Sequence, residues 1–344
     1  MNIHRIAING FGRIGRLLFR QALIQPQIEI VAVNDLGDLE NLAYLLKYDT
    51  VYGAWAEEVS IDQSSHSLVV RGKSVQVLQE KDPAKLPWKN LSIDIVVEAT
   101  GFFESFEKAK AHLDAGAKRV VISAPAKDED GPEGQTILMG VNDGHMNISK
   151  LTSNGSCTTN AAAPVIQVMS ENPGILKAML NTVHGYTATQ NLVDGPVHGG
   201  KDFRRGRAAA QNIVPSTTGA AIAVTRVIPD LKSKFDGIAM RVPVPTGSIA
   251  DVTFVAKRKV TVEEVNDIFR KAARDPRWEG ILKVTEDQIV SSDVIGQPYG
   301  AIVDLSFTKV VDGDLVKVLS WYDNEYGYVS TLIRHVVMAA HSIS

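Results

Sequence analysis

With a single cysteine, Cys157, among 344 residues, no intramolecular disulfide can form, which excludes a disulfide-stapled scaffold and agrees with a reducing compartment. The cytoplasm is the expected location. An excess of positive charge is also lacking: 36 Lys and Arg against 39 Asp and Glu leave a net charge of -3, so counterion release has little to work with and no nucleic-acid partner is expected. Long apolar runs are missing as well. The best imitation of a membrane span, Leu151 to Ser170, is uncharged but carries many Ser, Thr and Asn residues and Pro164, so no membrane association is expected. The opening MNIHRIAING enters an alternating strand without the apolar stretch of a secretory leader, and none is expected. What is present is a globular composition, 44% hydrophobic and 22% charged, in a chain long enough for about two domains.

The first half alternates strand and helix signals. Ile3 to Ile8 reads as a strand, Ile14, Leu17, Leu18 and Ala22 recur at helical spacing, and Ile28 to Asn34 is the next strand. Further strands are expected at Ile93 to Ala99 and Arg119 to Ser123, with a helix over Phe106 to Leu113 between them. Such alternation predicts an α/β fold with a Rossmann-type, doubly wound parallel sheet. Beyond Cys157 the strands lengthen, at Ala178 to Val183, Ile238 to Val244, Ile249 to Ala256, Ala301 to Val311 and Leu315 to Tyr322, which predicts an α+β domain with a mainly antiparallel sheet. A helix over Val262 to Arg274, opened by Thr261 and Glu264, is expected to bury Val262, Val265, Ile268, Phe269 and Ala272. Val329, Leu332, Ile333, Val336, Val337 and Ala340 form the stripe of a final helix.

Gly10, Gly12 and Gly15 form GxGxxG in its full context: a strand before, a helix after, and Asp35 at the end of the following strand. Small residues let the backbone approach a pyrophosphate, and the helix N-terminus stabilises its charge. Asp35 can accept hydrogen bonds from an adenosine ribose and would repel a 2′-phosphate. No Lys or Arg follows until Lys47, so NAD is expected rather than NADP.

Cys157 lies in Ser156-Cys157-Thr158-Thr159-Asn160, ahead of an Ala-rich helical run. Free cysteines are commonly inert core residues, but this polar setting is poor core, and a helix N-terminus lowers a thiol pKa. His184, which ends an apolar run and begins a polar loop, is the best of eight histidines for a partner base; His198 in GPVHGG is a weaker one. Lys201, Arg204, Arg205 and Arg207, followed by Ser216 to Gly219 and then Arg241, suit a phosphate or carboxylate. No metal-ligand set is expected.

Taken in order, INGFGRIGR, Asn34-Asp35, SCTTN, HGYTATQ, RRGRAAAQNIVPSTTGAA, MRVPVPTGS and WYDNEYGY closely resemble the phosphorylating glyceraldehyde-3-phosphate dehydrogenases, across essentially the whole chain. The resemblance implies a homotetramer that binds glyceraldehyde 3-phosphate and inorganic phosphate, with Cys157 as nucleophile and His184 as acid/base. It further implies NAD contacts from Arg13, Ile14, Asp35, Ser123 and Asn324, and a weaker one from Lys81. Thr187 and Arg241 would hold the substrate phosphate; Ser156, Thr158, Thr218, Gly219 and Arg204 the inorganic phosphate. The implied domains are 1–156 with 323–344, binding NAD, and 157–322, catalytic. The sequence departs from common family patterns at Ala161, Ile222 and Tyr326. Rival readings are a non-phosphorylating erythrose-4-phosphate dehydrogenase, a cofactor-binding regulator and a cysteine peptidase; the last leaves the dinucleotide fingerprint unexplained.

Overall fold

The computed structural model describes residues 3–197 and 201–343. The chain divides into two compact units, Met1–Gly155 with Leu332–Ser344, and Ser156–Thr331.

The first unit contains β1 (His4–Asn9), α1 (Arg13–Ala22), β2 (Ile28–Asn34), α2 (Leu39–Lys47), β3 (Val59–Asp62), β4 (Ser67–Val70), β5 (Lys73–Leu78), β6 (Ile95–Glu98), α3 (Phe106–Asp114), β7 (Arg119–Ile122), β8 (Gln135–Thr136) and β9 (Leu151–Ser153). Its sheet runs β3-β4-β5-β2-β1-β6-β7-β9-β8. From β5 to β8 every neighbour is parallel, and only the β3-β4-β5 edge is antiparallel. Ile6 to Ile8, Ile95 to Val97 and Val120 to Ile122 are buried runs without alternation, as a sheet covered on both faces requires. The chain leaves β1 toward β2 on one side and returns to β6 on the other. This reversal opens a crevice at the carboxyl ends of β1 and β6, where doubly wound sheets bind ligands.

The second unit contains α4 (Cys157–Glu171), β10 (Ile175–Gly185), β11 (Val214–Thr217), α5 (Ala220–Val227), β12 (Phe235–Val242), β13 (Ser248–Ala256), α6 (Val262–Ala272), β14 (Leu282–Thr285), β15 (Ala301–Val311) and β16 (Leu315–Tyr322), then the start of α7 (Tyr326–His341). The sheet order is β11-β12-β10-β13-β16-β15-β14, antiparallel except at β10-β12 and β14-β15. Alternation decides which face is covered: Ala250, Val252 and Phe254 of β13 are buried, while Ile249, Asp251, Thr253 and Val255 are partly open. The helix α6 corrects one expectation. Thr261 caps it by accepting from the Glu264 N–H at 3.2 Å, but Val262, at its first position, is exposed and Ile268 and Ala272 are half-buried. Asn266 takes a buried place instead, because its amide donates to the Leu305 carbonyl at 3.0 Å.

Candidate active site

In the first unit, the turn between β1 and α1 is built for backbone approach. Gly10 has φ +96°, and a Cβ there would lie 2.6 Å from the Ala99 carbonyl carbon and the Thr100 nitrogen. A Cβ on Gly15 would lie 2.1 Å from the Gly10 oxygen, so helix and turn close tightly only with glycine. Gly12 is the helix N-cap, makes no side-chain cap, and faces open space within 4 Å. An uncapped helix N-terminus beside an open glycine fits a pyrophosphate. Each oxygen of Asp35 accepts one backbone N–H, Oδ2 from Phe11 at 2.7 Å and Oδ1 from Gly37 at 2.9 Å, which leaves lone pairs for ribose hydroxyls. Arg13 is held by Asp49 through two bonds, 2.9 and 3.2 Å, at the helix start that Ile14 continues. Ser123 follows β7, its N–H donating to the Glu98 carbonyl at 2.9 Å, and Lys81 is exposed beyond β5.

In the second unit, Ser156 caps α4 with a capping box: its hydroxyl accepts from the Thr159 N–H at 3.1 Å, and the Thr159 hydroxyl accepts from the Ser156 N–H at 3.2 Å. Cys157 is thereby the first residue of a helix whose next residues, Thr158 to Ile166, are buried. The parallel register of β10 and β12 sets His184 opposite Arg241. His184 Nε2 lies 3.3 Å from Cys157 Sγ, while Nδ1 lies 2.6 Å from the Gly185 carbonyl and 2.7 Å from Arg241 Nη1. Burial pushes the Cys157 thiol up, against the pull of Arg241 and of Thr158 in the opposite direction. Burial and then the Arg241 charge bring His184 down to about 3, so the imidazole is neutral at rest, with Nε2 facing the thiol. Desolvation is the effect missing from a reading based on the helix N-terminus alone.

Tyr322 backs this pair. Its hydroxyl lies 2.9 Å from the Thr158 hydroxyl and 2.7 Å from that of Thr182, and its ring meets the His184 ring edge-on at 5.9 Å. Burial, then the neighbouring Cys157, pushes its phenol up, so it remains an O–H donor. Asn324 Oδ1 accepts from Thr246 Oγ1 at 3.1 Å, Gly247 N at 3.1 Å and Ser248 Oγ at 2.9 Å. Three donors on one oxygen fix the amide and leave its N–H₂ to offer to a ligand carbonyl.

The family profile for the C-terminal domain of glyceraldehyde 3-phosphate dehydrogenase matches residues 156–324, and that for the NAD binding domain matches residues 4–106. The chain belongs to the glyceraldehyde-3-phosphate dehydrogenase family. The glyceraldehyde-3-phosphate dehydrogenase of Streptomyces coelicolor is 52% identical over 342 residues, 98% of this chain and 99% of that protein. Those of Clostridium pasteurianum, 50% identical over 96% of each chain, and of Mycobacterium tuberculosis, 48% identical over 98% of this chain and 99% of the relative, agree. The protein is therefore an NAD-dependent oxidoreductase.

The residues expected to hold anions differ in the partners they meet. The Thr187 hydroxyl is 3.0 Å from that of Thr189. The Thr218 hydroxyl accepts from Ala220 N at 3.2 Å at the start of α5, and Gly219, its N-cap, borders open space within 4 Å. Arg204 is exposed and bonded to Asp202 at 2.8 Å. Its neighbour Arg205 instead reaches the Ser216 hydroxyl at 2.8 and 3.1 Å and that of Thr189 at 3.4 Å, and its charge acts on Arg241. Sequence reading singled out neither Arg205 within its four-cation run nor Tyr322 within WYDNEYGY. The first depends on the direction each arginine takes from a short 3-10 turn, the second on strand pairing. His198 lies outside the described residues. No group of three or more His, Cys, Asp or Glu side chains among the described residues is placed to hold a metal, and no helix among them is long and apolar enough to cross a membrane.

Proposed function

We propose that the enzyme oxidises glyceraldehyde 3-phosphate to 1,3-bisphosphoglycerate, with NAD as oxidant and inorganic phosphate as second substrate, as a cytoplasmic step of glycolysis and gluconeogenesis. The observation that carries this reading is the 3.3 Å contact of Cys157 Sγ with a neutral, buried His184. Sγ attacks the aldehyde carbon as its proton passes to Nε2, which hands it on to the forming alkoxide; the thiohemiacetal hydroxyl then returns that proton to the freed Nε2 as hydride departs, leaving a thioester on Cys157. NAD, when bound, supplies the hydride acceptor. The N–H groups at Gly12, Arg13 and Ile14 hold its pyrophosphate, Asp35 its ribose and Asn324 its carboxamide, with Ser123 and Lys81 at the margin. Inorganic phosphate then attacks the thioester carbon, the C–S bond breaks, and the thiolate recovers its proton from His184.

Thr187 and Arg241 hold the phosphate of the substrate. Ser156, Thr158, Thr218 and Gly219 hold the attacking phosphate. For the guanidinium of that second site we favour Arg205 over Arg204, because Arg205 faces Ser216 and Thr189. Self-association to a homotetramer is supported by apolar side chains on the open sheet face of the second unit, where Met179 and Ile238 are exposed on adjacent strands. The functional reading is tested by steady-state NADH formation from glyceraldehyde 3-phosphate while phosphate is titrated: a rate that rises with phosphate and an acyl phosphate product support it. A rate indifferent to phosphate contradicts it.

NAD is expected to exceed NADP by at least about a hundredfold in kcat/KM, about 2.7 kcal/mol. A 2′-phosphate would meet the Asp35 carboxylate, and the following residues Leu36 to Glu40 supply no cation. Asp35→Gly should narrow the gap, with Asp38 and Glu40 retaining part of it. Equal use of both cofactors by the wild type would refute this role of Asp35.

A further inference from the structure

The carboxyl ends of β1, β2 and β6 carry Asn9, Asn34 and Glu98, all buried, where a sheet covered on both faces ordinarily carries apolar side chains. They form one chain. Asn34 Nδ2 donates to Asn9 Oδ1 at 2.7 Å, and Asn9 Nδ2 donates to Glu98 Oε2 at 2.6 Å. His112 Nε2 lies 3.0 Å from the same oxygen; because Trp88 Nε1 donates to His112 Nδ1 at 3.0 Å, the ring proton sits on Nε2 and also points to Glu98. Glu98 Oε1 accepts from the Thr100 N–H at 2.8 Å and the Thr100 hydroxyl at 2.5 Å. Four donors thus converge on one carboxylate, and none of the chemistry at Cys157 uses it.

What this chain touches is the dinucleotide turn, from behind. Asn9 precedes Gly10, Asn34 precedes Asp35, and the Gly10 N–H donates to the Asn34 carbonyl at 2.8 Å. The Thr100 nitrogen, fixed by Glu98, is one of the atoms against which Gly10 is packed. We propose that Glu98 is a positioning residue of the NAD site: its carboxylate fixes the separation between the Gly10–Gly15 turn, which takes the pyrophosphate, and Asp35, which takes the adenosine ribose. This rests on the reading of those residues as the NAD site. A glutamine at this position would turn an N–H₂ group toward existing donors, so the clamp opens although size and shape are kept.

The experiment measures Glu98→Gln in the full enzyme with two competitive inhibitors. ADP-ribose spans both subsites; adenosine reaches Asp35 alone. KM for NAD and Ki for ADP-ribose should rise by roughly tenfold, while Ki for adenosine and kcat at saturating NAD stay within about twofold. A lower thermal midpoint with unchanged KM and Ki values, or an equal rise in both Ki values, would overturn the proposal. Should Glu98→Gln fail to fold, Thr100→Val removes a single donor from Glu98, and the Ki for ADP-ribose should rise by roughly threefold relative to that for adenosine; an unchanged ratio overturns the proposal. Asp35→Ala serves as the control. If it weakens adenosine while the Glu98 and Thr100 variants do nothing, only the positioning role fails; if it weakens neither ligand, the assignment of the NAD site fails with it.

Discussion

Replacing Cys157 with alanine is expected to abolish turnover, by at least about ten-thousandfold, while NAD affinity changes by no more than a few-fold. The thiol is the only cysteine in the chain, so no second sulfur can substitute for it. A hydride can leave the aldehyde carbon only from a tetrahedral adduct, and in the alanine variant that adduct would have to form with water, a far weaker nucleophile than the sulfur of Cys157. Cofactor binding, in contrast, is proposed to rest on the Gly10–Gly15 turn, Asp35 and Asn324, none of which has a hydrogen bond to Sγ. The alanine keeps the Ser156–Thr159 capping box, so the helix start is preserved and the loss reports chemistry. Kinetics in NADH absorbance together with a direct titration of NAD check both halves; substantial residual dehydrogenase activity would exclude Cys157 as nucleophile.

The second large effect belongs to His184→Asn, with an expected fall in kcat of roughly a hundredfold to ten-thousandfold, the usual contribution of a positioned base. No other base is bonded to Sγ among the described residues; Arg241 is permanently charged, and the neighbouring hydroxyls are far too weakly basic. The sign of the accompanying pH effect follows from the same geometry. Burial pushes the thiol up in both proteins, whereas a base 3.3 Å from Sγ that can accept its proton as the sulfur reacts exists only in the wild type. Alkylation of Cys157 by iodoacetamide should therefore reach its plateau at higher pH in the variant, and its rate at neutral pH should drop. An alkylation profile that does not move with this substitution would remove His184 from the role.

How far these features could be read from the sequence depends on the distance over which each is determined. β2, β15 and β16 occupy the residues expected of them, because unbroken apolar runs or strict alternation bounded by polar turns are local properties. The strand-glycine-helix-strand unit was equally readable, since the glycines and Asp35 fall within one βαβ unit. The placement of Val262 shows the limit of periodicity: it keeps the phase of the apolar stripe yet, at the first position of α6, stays exposed. Longer-range facts were closed to sequence reading. His184 meets Arg241 because β10 and β12 run parallel in a particular register, 57 positions apart. Tyr322 reaches Thr158 across 164 positions and Thr182 across 140. Arg204 and Arg205 are adjacent and chemically identical, yet one bonds Asp202 at the surface and the other crosses to Ser216. The buried chain from Asn34 through Asn9 to Glu98 looked like ordinary strand ends, because only the sheet order brings those three ends together.

The central claim, that the thioester on Cys157 waits for phosphate, is tested most directly by rapid mixing of enzyme, NAD and glyceraldehyde 3-phosphate with phosphate and arsenate both omitted. Thr158, Thr218, the Gly219 N–H and Arg205 are the donors proposed for an attacking anion, and among the described residues no carboxylate or second histidine joins His184 in bonding Sγ. A burst of about one NADH per Cys157 followed by near arrest is expected, with either anion restoring turnover. Continuous NADH production with free 3-phosphoglycerate as product would contradict it.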